Sequence, residues 1–180
     1  MKSTMNRNRV AVFIDGSDLF FYQKQNNLNW QIDSLALVSW IGKNLGKISS
    51  VNYYASSDPQ NAGQIRFHDF LRHNGFNVFT REVRVIESYD EKNQEHYEDI
   101  IKANYEYKVV FDILSMIDSY DHLVYVGSKN EIIDTLQYVR NQGKELTLIA
   151  PENIVSVNVK EKFMFSIVDM RTLQKEISRA

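Results

Sequence analysis

The 180-residue chain is 43% hydrophobic and 12% aromatic, carries a net charge of −2 and has no cysteine. That is enough chain for one domain with a full core, and it excludes a disordered polypeptide. It also excludes disulfide frameworks and thiolate metal sites, and it leaves no global basic field of the kind that marks many nucleic-acid binders.

Met1 to Arg9 is polar and basic and lacks the apolar segment of a signal peptide, and no apolar run is long enough to span a membrane. A flexible tail over 1–9, a single domain over 10–180 and a cytoplasmic location are therefore expected. Val10 to Ile14 is a run of apolar residues, several β-branched or aromatic, and reads as a strand buried on both faces. It ends at Asp15-Gly16-Ser17-Asp18, and residues 19–27 then read as a short helix. Asp33 caps a second helix carrying Leu35, Val38, Ile41 and Leu45, stopped by Gly46. Ser49 to Ala55 is the second strand. Asp58-Pro59 reads as the start of a third helix, which runs to Gly75. Phe76 to Ile86 alternates as a third strand, followed by a polar stretch, Glu87 to Glu98, expected to be a mobile loop.

Residues 104–118 form the next helix, and Leu123 to Val126 is a short buried strand. A helix with Ile132, Ile133, Leu136 and Val139 follows, ended by Gly143. Glu145 to Ala150 is the fifth strand, closed by Pro151. A weak helix over 155–164, an edge strand over Phe165 to Val168 and a terminal helix over 172–178 complete the chain. Strands and helices alternate throughout. The expected fold is a doubly wound α/β domain, a mainly parallel sheet of five to six strands with helices on both faces. Right-handed crossovers place the strand C-terminal ends on one edge, which is where such sheets bind ligands.

Acids reach that edge from three places. Asp15 and Asp18 follow the first strand, Glu106 and Asp112 lie on the helix after the polar stretch, and Glu131 follows the fourth strand in Gly127-Ser128-Lys129-Asn130-Glu131. Gathered carboxylates repel unless a positive charge sits among them, and an oxygen-only set suits a hard divalent cation. Glu106 and Asp112 are six residues apart and so point about 120° away from each other on a helix. Glu106 is the better placed to face the strand ends, and Asp112 is free to hold a neighbouring turn. Asp15 or Asp18 as a plain helix cap is the competing reading. His68, His73, His96 and His122 show no metal-ligand spacing and read as surface or edge residues. Phe20, Phe21, Tyr22, Tyr53 and Tyr54 read as core. Arg81, Arg84 and Lys102 border the polar stretch as a candidate phosphate-binding rim.

Three segments together carry a family resemblance over Val10 to Leu173. Val-Phe-Ile-Asp15-Gly-Ser-Asp18-Leu resembles the opening motif of the NYN domains of the PIN-like nuclease superfamily, in their bacterial LabA-like branch. Asp18 stands where that motif usually has Asn. Lys102-Ala-Asn-Tyr-Glu106-Tyr-Lys-Val-Val-Phe-Asp112 resembles the second motif, with Glu106 and Asp112 on its two acids. Tyr120 to Ile132 resembles the strand leading into the third, Ser-Gly-Asp-x-Asp-Phe. The resemblance implies a metal-dependent ribonuclease-type domain acting on single-stranded RNA with Mg2+ or Mn2+. It implies Asp15, Glu106 and Glu131 as metal ligands, Asp112 as an accessory acid, and Asp18, Ser128 and Lys129 among the substrate-binding residues. The departures are specific. Lys129 takes the first Asp position of the third motif, and Glu106 and Glu131 are longer than the usual Asp. A lysine there either neutralises the acids with no metal at all or meets an RNA phosphate. The alternative function is a catalytically silent domain that binds RNA or a protein partner; a structural subunit of a homodimer is a third. Lys129 is expected to reach into the cleft and pair with Asp15 or Glu131.

Overall fold

The computed structural model describes residues 8–25, 30–90, 95–101, 103–163 and 166–179, and for residues 25 and 84–101 the backbone path alone. In chain order the elements are β1 (Arg9–Asp15), α1 (Gly16–Gln25), α2 (Ser34–Asn44), β2 (Lys47–Ser57), α3 (Ala62–His73), β3 (Asn77–Glu82), β4 (Arg84–Asp90) and β5 (Glu95–Ile101). Then come α4 (Glu106–Ser115), β6 (His122–Val126), α5 (Ile133–Asn141), β7 (Glu145–Ala150), α6 (Val157–Phe163), β8 (Ile167–Asp169) and α7 (Gln174–Ile177).

Six strands form one parallel sheet in the order β3-β2-β1-β6-β7-β8. β1 is central because its residues from Val10 to Asp15 are fully buried, which only an interior strand can achieve. Its side chains alternate between two cores. Ala11 and Phe13 pack with Val109 and Ile113 of α4, Leu136 of α5 and Phe163 of α6. Val10, Val12 and Ile14 pack with Leu19 of α1, Leu37 and Ile41 of α2, Leu71 of α3 and Ile177 of α7. The chain winds outward from β1 in one direction through β2 and β3, then in the other through β6, β7 and β8. The direction reverses between β1 and β6, so a crevice opens at the C-terminal ends of those two strands. Asp15 ends β1 at that crevice, on the same face as Phe13 and therefore toward α4.

Several boundaries differ from those read in the sequence. Arg9 belongs to β1, tied to Asp121 by an ion pair of 2.8 Å, so the expected tail gives way to structure before its last residue; residues 1–7 lie outside the described set. Asp58-Pro59 forms a turn, and α3 starts later because Asn61 is its cap, accepting from the Gln64 amide at 3.0 Å. The expected strand over Phe76 to Ile86 breaks at Val83. Beyond it, the segment read as a mobile loop is an antiparallel two-stranded unit, β4 with β5, from Arg84↔Ile101 to Asp90↔Glu95. Period-two alternation is weak in those polar strands, so they carry little strand signal.

The turn from β1 into α1 depends on a missing side chain. A Cβ built on Gly16 would lie 2.1 Å from Cζ of Tyr53, whose ring is wedged between Phe67 and His68. Gly16→Ala should destabilise the fold by roughly 1–3 kcal/mol, the usual cost of overpacking, read from the urea unfolding midpoint. An unchanged midpoint would show that the Tyr53 ring moves aside freely.

Candidate active site

Asp15 is fully buried, yet it is a carboxylate, so its oxygens must be matched. Oδ1 accepts the Asp18 amide at 2.9 Å, closing the first turn of α1 as a helix cap, and the Tyr105 hydroxyl at 2.5 Å. Burial and then the Asp15 charge push the Tyr105 hydroxyl far above its ordinary value, so it stays a donor. Both readings of Asp15 therefore hold. It caps a helix and it belongs to a charged cluster.

The other oxygen faces Lys129. The ammonium lies 2.9 Å from Asp15 Oδ2, at an angle that makes the contact ionic rather than a hydrogen bond. Lys129 also donates to Glu106 Oε1, and it sits 4.4 Å from the centre of the Tyr105 ring, within cation–π range. Its side chain is only 10% exposed. Glu106 is the first residue of α4, and its other oxygen accepts the Tyr105 amide at 3.0 Å, fixing the carboxylate at the helix N-terminus. Burial alone lowers a lysine and raises a glutamate. Here the mutual charges outweigh it, so Lys129 is raised and Glu106 is lowered from their ordinary values.

The remaining predicted residues divide between this centre and its surroundings. Asp18 turns toward the β6 end, where its Oδ2 accepts the Ser128 amide at 2.6 Å and the Ser128 hydroxyl at 2.9 Å. Burial, then the Asp15 charge, raises the Asp18 carboxyl despite those bonds. Asp18 and Ser128 thus hold the loop that presents Lys129. Asp112 accepts the Tyr54 hydroxyl at 2.8 Å and pairs with Lys108, so it anchors β2 to α4 rather than joining Asp15. Glu131 is exposed and makes no hydrogen bond or ion pair with a described residue. The expected convergence of Asp15, Glu106 and Glu131 is not what the structure holds, and Lys129 stands in the third place. The physical reason is local: Asn130–Ile132 is a short 3-10 turn that buries Ile132 and leaves Glu131 outward. Arg81 donates to the Asn104 carbonyl at 3.0 Å and lies over the Tyr107 ring at 5.5 Å. The Arg84 side chain and Lys102 lie outside the described residues.

Two further corrections concern rings. His68 and His122 are buried, not surface residues, and Phe20 and Phe21 of α1 are 58% and 40% exposed, not core. Tyr105 and Tyr125 are site residues the sequence reading did not single out. Tyr125 is buried with an unpaired hydroxyl, and a Cβ on Gly127 would lie 3.0 Å from that hydroxyl and 3.1 Å from the Asp15 Cβ. The φ of +151° at Gly127 and this close approach together require glycine. The placement of Tyr105 directly before Glu106, and of Tyr125 two residues before Gly127, was the available signal.

The family model for the NYN domain matches residues 9–167. The chain belongs to the NYN family. It is therefore a nuclease-type domain of the PIN-like kind, a group that is generally metal-dependent. This NYN domain is 26% identical over 151 residues to the low amplitude and bright protein LabA of Synechococcus elongatus, an alignment covering 82% of this chain and 76% of that protein. Its fold is similar to that of a protein of unknown function from Vibrio parahaemolyticus, with a TM-score of 0.68 at 15% identity, covering 89% of this chain and 91% of that one.

The residues present do not fit the divalent ion such a domain implies. Among the described residues no group of three His, Cys, Asp or Glu side chains is arranged to hold a metal. The point between Asp15 and Glu106 where a cation belongs is filled by the Lys129 ammonium. A divalent ion entering that point must first displace the ammonium from both carboxylates.

Two outcomes follow for stability. Lys129→Met leaves two carboxylates unpaired, and should cost roughly 3 kcal/mol in urea unfolding at neutral pH. Glu106→Gln in that background should restore part of the loss, and strictly additive effects in the double-mutant cycle would deny the coupling. Because Glu106 is lowered and Lys129 raised, the clamp stabilises the fold across neutral pH. It is lost as pH falls through the lowered Glu106 value, below the ordinary glutamate range, or rises through the raised Lys129 value, above the ordinary lysine range. Asp18, with its raised carboxyl, works the other way and costs stability at neutral pH. Asp18→Asn keeps an acceptor for Ser128 and removes the charge, so thermal unfolding at pH 7 should shift upward by about 1–2 °C. A downward shift would mean that the charge itself holds the Ser128 loop.

Proposed function

We propose that this NYN domain binds single-stranded RNA without cleaving it through a divalent metal. Its own lysine closes the acidic centre. The observation that carries the reading is the Lys129 ammonium held by Asp15, Glu106 and the face of Tyr105. A cation fixed by the chain offsets one of the two carboxylate charges, which lessens the repulsion that a phosphate backbone would meet from bare acids. Support for a nucleic-acid strand comes from the groups at the same sheet edge. Phe20 and Phe21 are exposed on α1, and Arg81 rests on the exposed Tyr107 ring. Aromatic faces and a guanidinium are what single strands use for stacking and phosphate contact.

A second reading, a slow Mg2+- or Mn2+-dependent ribonuclease, is favoured by one feature. Asp15 Oδ2 and the Tyr125 hydroxyl are buried without hydrogen-bond partners, and a displaced Lys129 would leave them beside an open cation position.

The test is a calorimetric Mn2+ titration beside an RNA cleavage assay, on wild type, Lys129→Asp and Asp15→Asn. Wild type should bind a single-stranded oligonucleotide without cutting it and should take up Mn2+ weakly. Lys129→Asp should bind Mn2+ at least tenfold more tightly. Mn2+-dependent cleavage by wild type that disappears in Asp15→Asn would overturn the silent reading in favour of the nuclease.

A further inference from the structure

On the other face of the β1–α1 turn lies a second cavity, of about 420 Å3, between α1 and α3 over the end of β2. Its size is that of small-molecule pockets generally. The walls are aromatic, from Phe20, Phe21, Tyr53 and Phe67. Among the described residues its one charged lining side chain is Asp58, which repels rather than attracts an anionic group.

Several polar side chains of the lining are committed, Ser17 to the Ser56 amide, Gln23 to the Ile32 amide and Asn61 to the Gln64 amide, but others are unspent. The backbone of Ser56 is fully committed, the amide donating to Ser17 Oγ at 2.9 Å and the carbonyl accepting from the Gln64 amide side chain at 2.9 Å. The Ser56 hydroxyl, by contrast, is buried with no partner. His68 is 4% exposed, and neither its ring nitrogens nor the Tyr53 hydroxyl makes a hydrogen bond with a described residue; both rings make aromatic contacts only. Burial lowers the His68 imidazole, leaving it neutral with one donor and one acceptor. Polar groups this deeply buried are paired in stable structures, and here they line a cavity instead.

We infer that this cavity is a nucleobase pocket: a flat, uncharged ring stacked among Phe20, Phe21, Tyr53 and Phe67 and read at its edge by Ser56, His68 and Tyr53. A nucleobase matches each property at once, with a π-face for the aromatic walls, hydrogen-bonding edges for the unpaired groups and no charge to meet Asp58. The cavity shares its Gly16-Ser17 wall with the acidic centre, and the Tyr53 hydroxyl feels the Asp15 charge. The inference deepens the RNA-binding reading and rests on it for the source of the base; the pocket equally accepts the base of a free nucleoside.

The probes are adenosine, guanosine, cytidine and uridine, and single-stranded homo-oligonucleotides of each base, titrated by calorimetry and NMR against wild type, Phe20→Ala and Ser56→Ala. Phe20 is exposed at the lip, so Phe20→Ala leaves folding intact. Loss of one stacking ring should weaken nucleoside binding at least about fivefold. Ser56→Ala should flatten the preference among the four bases. Oligonucleotides that bind more tightly than their nucleosides identify a strand as the source, and nucleosides that bind as well as oligonucleotides identify a free nucleoside. Nucleosides that bind while no oligonucleotide does keep the pocket and overturn the RNA reading alone. Absence of saturable nucleoside binding, or binding unchanged by both variants, overturns the pocket even where oligonucleotides bind elsewhere.

Discussion

Two carboxylates at the end of one buried strand and one helix start cannot stay charged beside each other without a cation, and in this protein the cation is covalently part of the chain. Asp15 has no solvent to turn to. Glu106 is held at the α4 N-terminus by the Tyr105 amide. The Lys129 ammonium answers both, with the Tyr105 ring against a third side. Most of what surrounds the site serves that contact. Asp18 and Ser128 shape the loop that delivers Lys129, Gly127 lets that loop pass close to Asp15 and Tyr125, and Asp112 ties α4 to β2 so that Glu106 stays in place.

The fold explains why the contact is possible. A sheet that reverses direction between β1 and β6 brings the end of β1, the end of β6 and the start of α4 to one crevice, although the residues involved are spread from Asp15 to Lys129. In a nuclease-type domain such a crevice collects acids for a metal. Here the same geometry collects two acids and one base. A buried ion pair of this kind is weak evidence for stability, because desolvation offsets much of the attraction. Its consequence is functional. It sets what else can enter, because a divalent ion must first displace the ammonium.

Much of this was legible before the structure. Continuous apolar runs marked β1, β6 and β7, and helical spacing with Asp33 and Gly46 marked α2, because those elements bury whole faces. The entry of Lys129 into the acid cluster followed from a carboxylate missing where the family resemblance expects one. The expected pairing with Asp15 or Glu131 is met at Asp15, and Glu106 joins as a second acid. The sequence places Glu131 beside the cleft, yet a single 3-10 turn decides which way it faces, and that turn is set by burial of Ile132. The β4–β5 unit was missed because its strands are polar and lack alternation. Phe20 and Phe21 looked like core because aromatic residues usually are, and only the packing of α1 shows that they face outward. His68 looked like surface because nothing in its spacing signals that Tyr53 and Phe67 enclose it.

The central claim is that a lysine occupies the metal position. The most direct measurement is a crystal structure of the wild-type protein grown with excess MnCl2, with data collected at a wavelength where manganese scatters anomalously. The account predicts the Lys129 Nζ between the Asp15 and Glu106 carboxylates and no anomalous peak there. A manganese ion bridging Asp15 and Glu106, with Lys129 turned out to solvent, would contradict it.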